Sequence, residues 1–154
     1  DQSLTFTRTL IADLHPVVLQ HHGLLTRLQY LSNEMQKFGL AVSRPDTVPP
    51  VAVSEEIGIL VYKTVRELLF NVLKHSEVKE ATIDWETPSP DILLIRVMDS
   101  GVGFDPTPSQ LNQKPGHLGL FFYQERIKAV RGHLEITSSP QQGTCITLHI
   151  PLAP

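Results

Sequence analysis

Hydrophobic and polar positions along the chain switch between helical and strand periods, and the switches mark its elements. Ser3 to Leu14 carries Phe6, Leu10, Ile11 and Leu14 at helical spacing, and Pro16 disfavours helix at His15 and ends the element there. A second helix is predicted from about Gly23 to Phe38, with Leu24, Leu25, Leu28, Leu31 and Met35 on one face and Gly39 as its stop. Leu40 to Arg44 reads as a short strand, and Pro45 to Pro50, with three prolines, as a connection. A long helix follows from Ser54 to His75, with Ser54 as N-cap and Glu55 and Glu56 in the positive first turn. Ala81 to Glu86 alternates as a strand, Thr87 to Asp91 reads as a turn, and Ile92 to Met98 is apolar enough for a central strand. Asp99 to Pro115 is irregular; at about 17 residues it is long for a compact domain, and such loops are usually functional or mobile. A helix from about Leu118 to Arg131 ends at Gly132, and His133 to Ser138 with Thr144 to Ile150 forms a hairpin around Ser139 to Gly143. This order is not a strict β-α-β alternation. It favours an α+β two-layer sandwich, a mixed, mainly antiparallel sheet with helices on one face.

The long helix carries an arrangement that packing does not require. With Glu67 as zero on a wheel of about 3.6 residues per turn, Lys74, Asn71 and His75 fall at roughly −20°, +40° and +80°. Val61, Val65, Leu68, Leu69, Val72 and Leu73 fill the adjoining apolar arc. An acid, an amide, a cation and an imidazole therefore border the buried face, where polar groups need partners. Pairing to other side chains and contact with a polar ligand both account for the stripe.

Composition narrows the function classes. The chain has 154 residues, 41% hydrophobic and 19% charged, enough for one domain with a sizeable core, or one domain with a short extension. A formal net charge of −3, one Trp and three Tyr give no reason to expect nucleic-acid binding. Cys145 is the only cysteine, which leaves no intrachain disulfide and is compatible with a reducing compartment. It lies in an apolar alternating run, as a buried filler would. No apolar run of about 18 residues spans a membrane, and no signal-peptide pattern is present. The chain starts Asp1-Gln2-Ser3 without Met, so it is expected to be a piece of a longer protein.

Three loop motifs add candidate chemistry. Asp99-Ser-Gly-Val-Gly103 follows the buried strand, where a carboxylate can accept from an exocyclic amine such as that of adenine and glycines let backbone approach a ligand; a capped glycine turn is the plainer alternative. Gly116-His-Leu-Gly-Leu120 opens a helix, whose free N–H groups attract phosphate. It fits neither the P-loop nor the Rossmann pattern. Gly143-Thr144 on its own reads as a tight hairpin. Asn71 can ligate Mg²⁺ through its amide oxygen, and Lys74 or His75 can pair with phosphate oxygens. His15, His21 and His22 lack acidic or cysteine partners at ligand spacing, H-E-x-x-H is absent, and no G-x-S-x-G elbow occurs.

Taken in order, these motifs resemble the ATP-binding domain of sensor histidine kinases in the GHKL superfamily, whose fold is the Bergerat-type ATPase sandwich. Glu67-x-x-x-Asn71-x-x-Lys74-His75 resembles the N box, Asp99-x-Gly101-x-Gly103 the first glycine box, Gly116-x-x-Gly119-Leu120 the second, and Gly143-Thr144 the late Gly-Thr element. The likeness covers about residues 51–152 and is nearest to the nitrate-sensor and DesK-like group. There, Leu14-His15-Pro16-x-Val18-Leu19 with Gly23-Leu24 resembles the end of the dimerisation region and its link to the ATPase domain. The resemblance thus divides the chain into 1–50, the end of the dimerisation region, linker and first helix, and 51–154, the catalytic core. His15 and Gln20 mimic a phosphoacceptor box, but the 52 positions from His15 to Glu67 are too few for a full helical hairpin, so the phosphoacceptor is expected upstream.

The roles that the resemblance implies are specific. ATP and Mg²⁺ are the implied cofactors, with Asn71 holding Mg²⁺ and Lys74 and His75 contacting phosphate or ribose. Asp99 would read the adenine amine, Gly101 and Gly103 would shape that pocket, and Thr144 would lie near adenine. Gly116, His117, Leu118, Gly119 and Leu120 would belong to the lid, and Glu67 matches the general base of related ATPases. Ser100 stands where Asn or Asp is frequent, and no phenylalanine box is evident beyond Phe104. The implied activity is transfer of the ATP γ-phosphoryl to a histidine and relay to a response regulator. The implied partners are the dimerisation and phosphoacceptor domain of the same protein and that regulator, with no nucleic acid and no membrane contact by this piece. The expected compartment is the cytoplasm, either free or as the cytoplasmic part of a membrane-anchored receptor. The rivals are a degenerate nucleotide-binding or interaction module of the same superfamily, and a related ATPase or protein serine kinase.

Overall fold

The structure is a computed structural model that describes residues 23–107 and 118–152. Leu24–Met35 forms helix α1, and its apolar stripe is fully buried. A 3-10 turn at Gln36–Phe38 tightens its end, and Gly39 stops it at φ 90°, a left-handed cap that costs glycine little. Strand β1 (Ala41–Ser43) follows. The connection after it crosses the sheet edge, where Thr47 O accepts from Trp85 Nε1 at 3.1 Å. Helix α2 (Glu55–His75) begins where Ser54 Oγ accepts from Ile57 N at 3.2 Å, with Glu55 and Glu56 at the positive end of its dipole. It ends at Ser76, whose hydroxyl donates back to Val72 O at 2.6 Å. Strands β2 (Glu80–Ser89) and β3 (Ile92–Asp99), helix α3 (Leu118–Ala129), and strands β4 (His133–Ser138) and β5 (Thr144–Pro151) complete the described elements.

The sheet runs β1-β2-β3-β5-β4, with β1 parallel to β2 and the remaining pairs antiparallel. Period two sorts its faces. Ile83 and Trp85, Leu93 to Val97 at alternate positions, and Ile146 to Ile150 at alternate positions are buried with Leu134, while Asp84, Arg96, Thr147 and Glu135 stand in one row across the open face. Arg96 bonds Glu86 at 2.6 Å and lies 3.6 Å from Asp84 there. Helix α2 packs on β2 and β3, α1 on α2 and β1, and α3 on α2 and β4. The α+β sandwich with helices on one face is therefore the observed fold.

Two boundaries differ from the expectation. Strand β2 runs through Thr87 and Pro88 to Ser89, and the turn shrinks to Pro90 and Asp91. The pairing slips between Glu86 and Ser89, and an irregularity of that kind tolerates a residue with no N–H to donate. Helix α3 stops at Ala129 rather than Arg131, because Arg131 itself turns left-handed at φ 67° and Gly132 N donates to Ile127 O at 2.9 Å. The predicted helix at 3–14 and His15, His21 and His22 lie outside the described residues. No described helix is long and apolar enough to cross a membrane.

Candidate functional site

The site grows from the end of the central strand. Alternation that buries Leu93, Ile95 and Val97 places Asp99 on the same, helix-covered face. The same parity places Thr144 beside Ile146 on β5, and the register sets Asp99 opposite Thr144. Between these strand ends and the C-terminal half of α2 lies a cavity of about 220 Å³. Its floor is apolar, from Leu68, Val72, Val97, Ile146 and Leu120. Its polar groups are few: Asn71, His75 and Ser76 from the helix side, and Asp99 and Thr144 from the sheet. An apolar slot with a handful of placed polar groups is the usual form of a small-molecule site.

The helix contributes through its turn. Asn71 and His75, one turn apart, both reach the cavity, with Asn71 half-buried and His75 at the exposed mouth. The predicted stripe splits at this point. Glu67 and Lys74 do not line the cavity. Glu67 instead faces the first turn of α3, so closely that a Cβ on Gly119 would stand 3.0 Å from its Oε1. Lys74 is exposed. Burial holds the His75 imidazole below its ordinary pKa, Lys74 pushes it the same way, and Glu67 opposes. Tyr123, on α3, is raised by burial and by Glu67, against Arg66 and Arg126.

Asp99 is the cavity's half-buried carboxyl. Burial raises its pKa, and the N–H of Gly101, donated to Oδ1 at 2.8 Å, works against that rise. One oxygen is thereby engaged from below. The loop behind it is stitched on both sides: Val102 N donates to Ser76 O at 3.0 Å, and Gln141 N donates to Val102 O at 2.6 Å. Gly101 passes against the Ser76 carbonyl, and Gly103, at φ 64°, against the Ser139 carbonyl, where a Cβ would collide. Glycine there answers a close approach that the expected pocket-shaping role did not specify; Gly103 lines the cavity, and Gly101 lies behind it.

Of the remaining predicted residues, Leu120 and Thr144 line the cavity, and Gly119 sits against Glu67. Leu118 opens α3, and Gly116 and His117 lie outside the described residues. Sequence reasoning missed Leu68, Val72, Ser76, Val97, Val102 and Ile146 as cavity residues. Parity alone would have found two of them: Val97 stands two before Asp99, and Ile146 two after Thr144. Among the described residues, no group of three or more His, Cys, Asp or Glu is arranged to hold a metal ion.

Helices on one face of this strand order, with a carboxyl at the end of the central strand, frame an apolar slot with few polar groups. Residues 57–154 match the family of histidine kinase-, DNA gyrase B- and HSP90-like ATPases. The chain belongs to that family, and ATP is its nucleotide. Among curated proteins it is 28% identical over 149 residues to an uncharacterized sensor-like histidine kinase of Chloroflexus aurantiacus, an alignment covering 94% of this chain and 25% of that protein. The chain therefore spans a quarter of that relative's length. Its fold is similar to the blue-light activated histidine kinase of Erythrobacter litoralis, with TM-score 0.68, 21% identity, and coverage of 84% of this chain and 42% of that one. It is also similar to the Acinetobacter baumannii histidine kinase AdeS, with TM-score 0.69, 15% identity, and coverage of 99% and 82%.

Proposed function

We propose that this chain is the ATP-binding catalytic domain of a two-component sensor histidine kinase. The γ-phosphoryl of its nucleotide passes to a histidine on the dimerisation domain of the same protein, outside this chain, and then to an aspartate of a response regulator. The observation that carries the reading is Asp99, a half-buried carboxyl with one oxygen engaged by Gly101, facing an apolar slot sized for a flat heterocycle. Such a group accepts from the adenine amine, and Thr144 lies beside it. Asn71 and His75 line the slot from the helix side and would meet the sugar and phosphates. Exposed Lys74 offers a cation, and the first turn of α3, with Gly119, offers helix N-terminal N–H groups to the phosphates.

Asn71 fits Mg²⁺: its half-buried amide would supply a neutral oxygen to an ion that takes few protein ligands and is otherwise held by phosphate oxygens and water. When bound the ion neutralises phosphate charge. The chain's own contribution to phosphoryl transfer is position and electrostatics. Glu67, which stands against Gly119 at the first turn of α3 and outside the apolar slot, would orient the incoming imidazole and take its proton. Calorimetric titration with a non-hydrolysable Mg-ATP analogue tests the binding part. Saturable binding by the wild-type chain that Asp99→Asn weakens about ten- to a hundredfold supports it, and a folded wild-type chain with no binding refutes it. In the full protein, an acid-labile phosphoryl group on histidine is the expected product, whereas an acid-stable phosphoserine would assign the chain to a different kinase class.

A further inference from the structure

One hydroxyl outside every motif joins two cavity residues, Phe104 and Thr144, to the turn at Gly143. Ser138 ends β4; the register pairs it with Thr144, and Thr144 with Asp99. The parity of Leu134, Ile146 and Val97 puts all three side chains on the helix-covered face, in one row. Ser138 Oγ lies 2.9 Å from Gly143 O, 2.9 Å from Thr144 Oγ1 and 2.9 Å from Phe104 N.

A serine hydroxyl has one proton and two lone pairs. The Gly143 carbonyl can only accept, so it takes the Ser138 proton. The Phe104 N–H can only donate, so it uses one lone pair. The other lone pair is left for Thr144, which must therefore donate to Ser138. One arrangement satisfies all three contacts, and it fixes the direction of the Thr144 hydroxyl. Thr144 keeps only lone pairs for the cavity that it lines.

We infer that Ser138 is a positioning residue for base recognition, acting through Thr144. By consuming the Thr144 proton, it makes the Asp99–Thr144 edge of the slot a pair of acceptors with no hydroxyl proton to offer. A base that presents an amine there is matched; a 6-oxo purine sets its lone pairs against theirs, and a buried polar mismatch of that kind is costly. Without Ser138, the Thr144 hydroxyl rotates and can donate to the oxo group. The inference deepens the ATP reading and rests on it.

The test uses the 154-residue chain with Ser138→Ala, Ser138→Thr and Ser138→Cys, measuring ADP and inosine diphosphate by competition against a fluorescent ATP analogue. Ser138→Ala is expected to lower the preference for ADP over inosine diphosphate about five- to tenfold, the scale of one hydrogen bond. Ser138→Thr keeps the hydroxyl and restores the preference. Ser138→Cys, with a weak donor and acceptor of similar shape, lowers it independently of the alanine variant. Parallel weakening of both nucleotides would overturn the inference, because a purely structural wall treats both bases alike; so would an unchanged preference. A wild-type chain that binds neither nucleotide sinks the ATP reading and this inference with it. Wild-type ADP binding with an unchanged preference in the variants sinks the inference alone.

Discussion

At the scale of single residues, Asp99 and His75 respond in opposite senses to pH. The folded state raises the Asp99 pKa, so it binds that proton more tightly than the unfolded chain, and this carboxyl's contribution to stability falls as pH rises through the elevated pKa. Asp99→Asn removes a half-buried charge and keeps an oxygen for the Gly101 N–H. Nucleotide affinity is expected to drop roughly ten- to a hundredfold, as for loss of a charged hydrogen bond, while the melting temperature of the free protein holds or rises. Calorimetry and thermal unfolding on the same sample check both halves. The His75 pKa is lowered from 6.5, so the unfolded chain takes the proton first and stability is lost as pH falls through that value. His75→Gln is therefore expected to lose less stability than wild type between about pH 7.5 and 5.5, read by denaturant unfolding at each pH.

At the scale of elements, the caps and close approaches set what each helix and loop can tolerate. Ser54→Ala deletes the only side-chain acceptor at the start of α2 that faces Ile57 N, and is expected to cost about 1 kcal/mol in chemical denaturation. Gly103→Ala meets both a left-handed backbone and the Ser139 carbonyl, so the loop must move away from the β4–β5 turn. Nucleotide binding is expected to fall more than stability does, because the loop is wall rather than core; amide exchange at Val102 and Phe104 locates the change. The elements were largely legible in advance. Ser54 and Gly39 signalled the ends that they form, alternation marked β2 and an apolar run marked β3, whereas Thr87 and Pro88 defeated composition because a slip in pairing suits proline.

At the scale of the whole molecule, the cavity exists because the sheet and α2 close over one core. Leu148 is fully buried on β5, beneath the helices. Leu148→Ala is expected to destabilise the fold by about 2–5 kcal/mol, measured by denaturant unfolding, through lost transfer energy and the space left behind. Nucleotide at about a hundred times its dissociation constant is expected to return about 2.7 kcal/mol to wild type and to this variant alike, because Leu148 does not line the site. A smaller rescue in the variant would show that the core defect reaches the cavity wall.

The sequence alone determined the helices and strands, because hydrophobic period and capping residues act between near neighbours. It also determined the ordered set of Glu67, Asn71, Asp99, Gly103 and Thr144, whose types and order point to a nucleotide. The tertiary structure decided which of them share a wall. On one wheel Glu67 and Asn71 were equivalent members of a stripe, yet α3 claims Glu67 at Gly119 while the sheet ends face Asn71. It also decided the part played by Ser138, whose three partners come from the neighbouring strand, the turn that leads to it and a distant loop. No local pattern encodes that junction, because its physical cause is the register of β3, β5 and β4 set by long-range pairing.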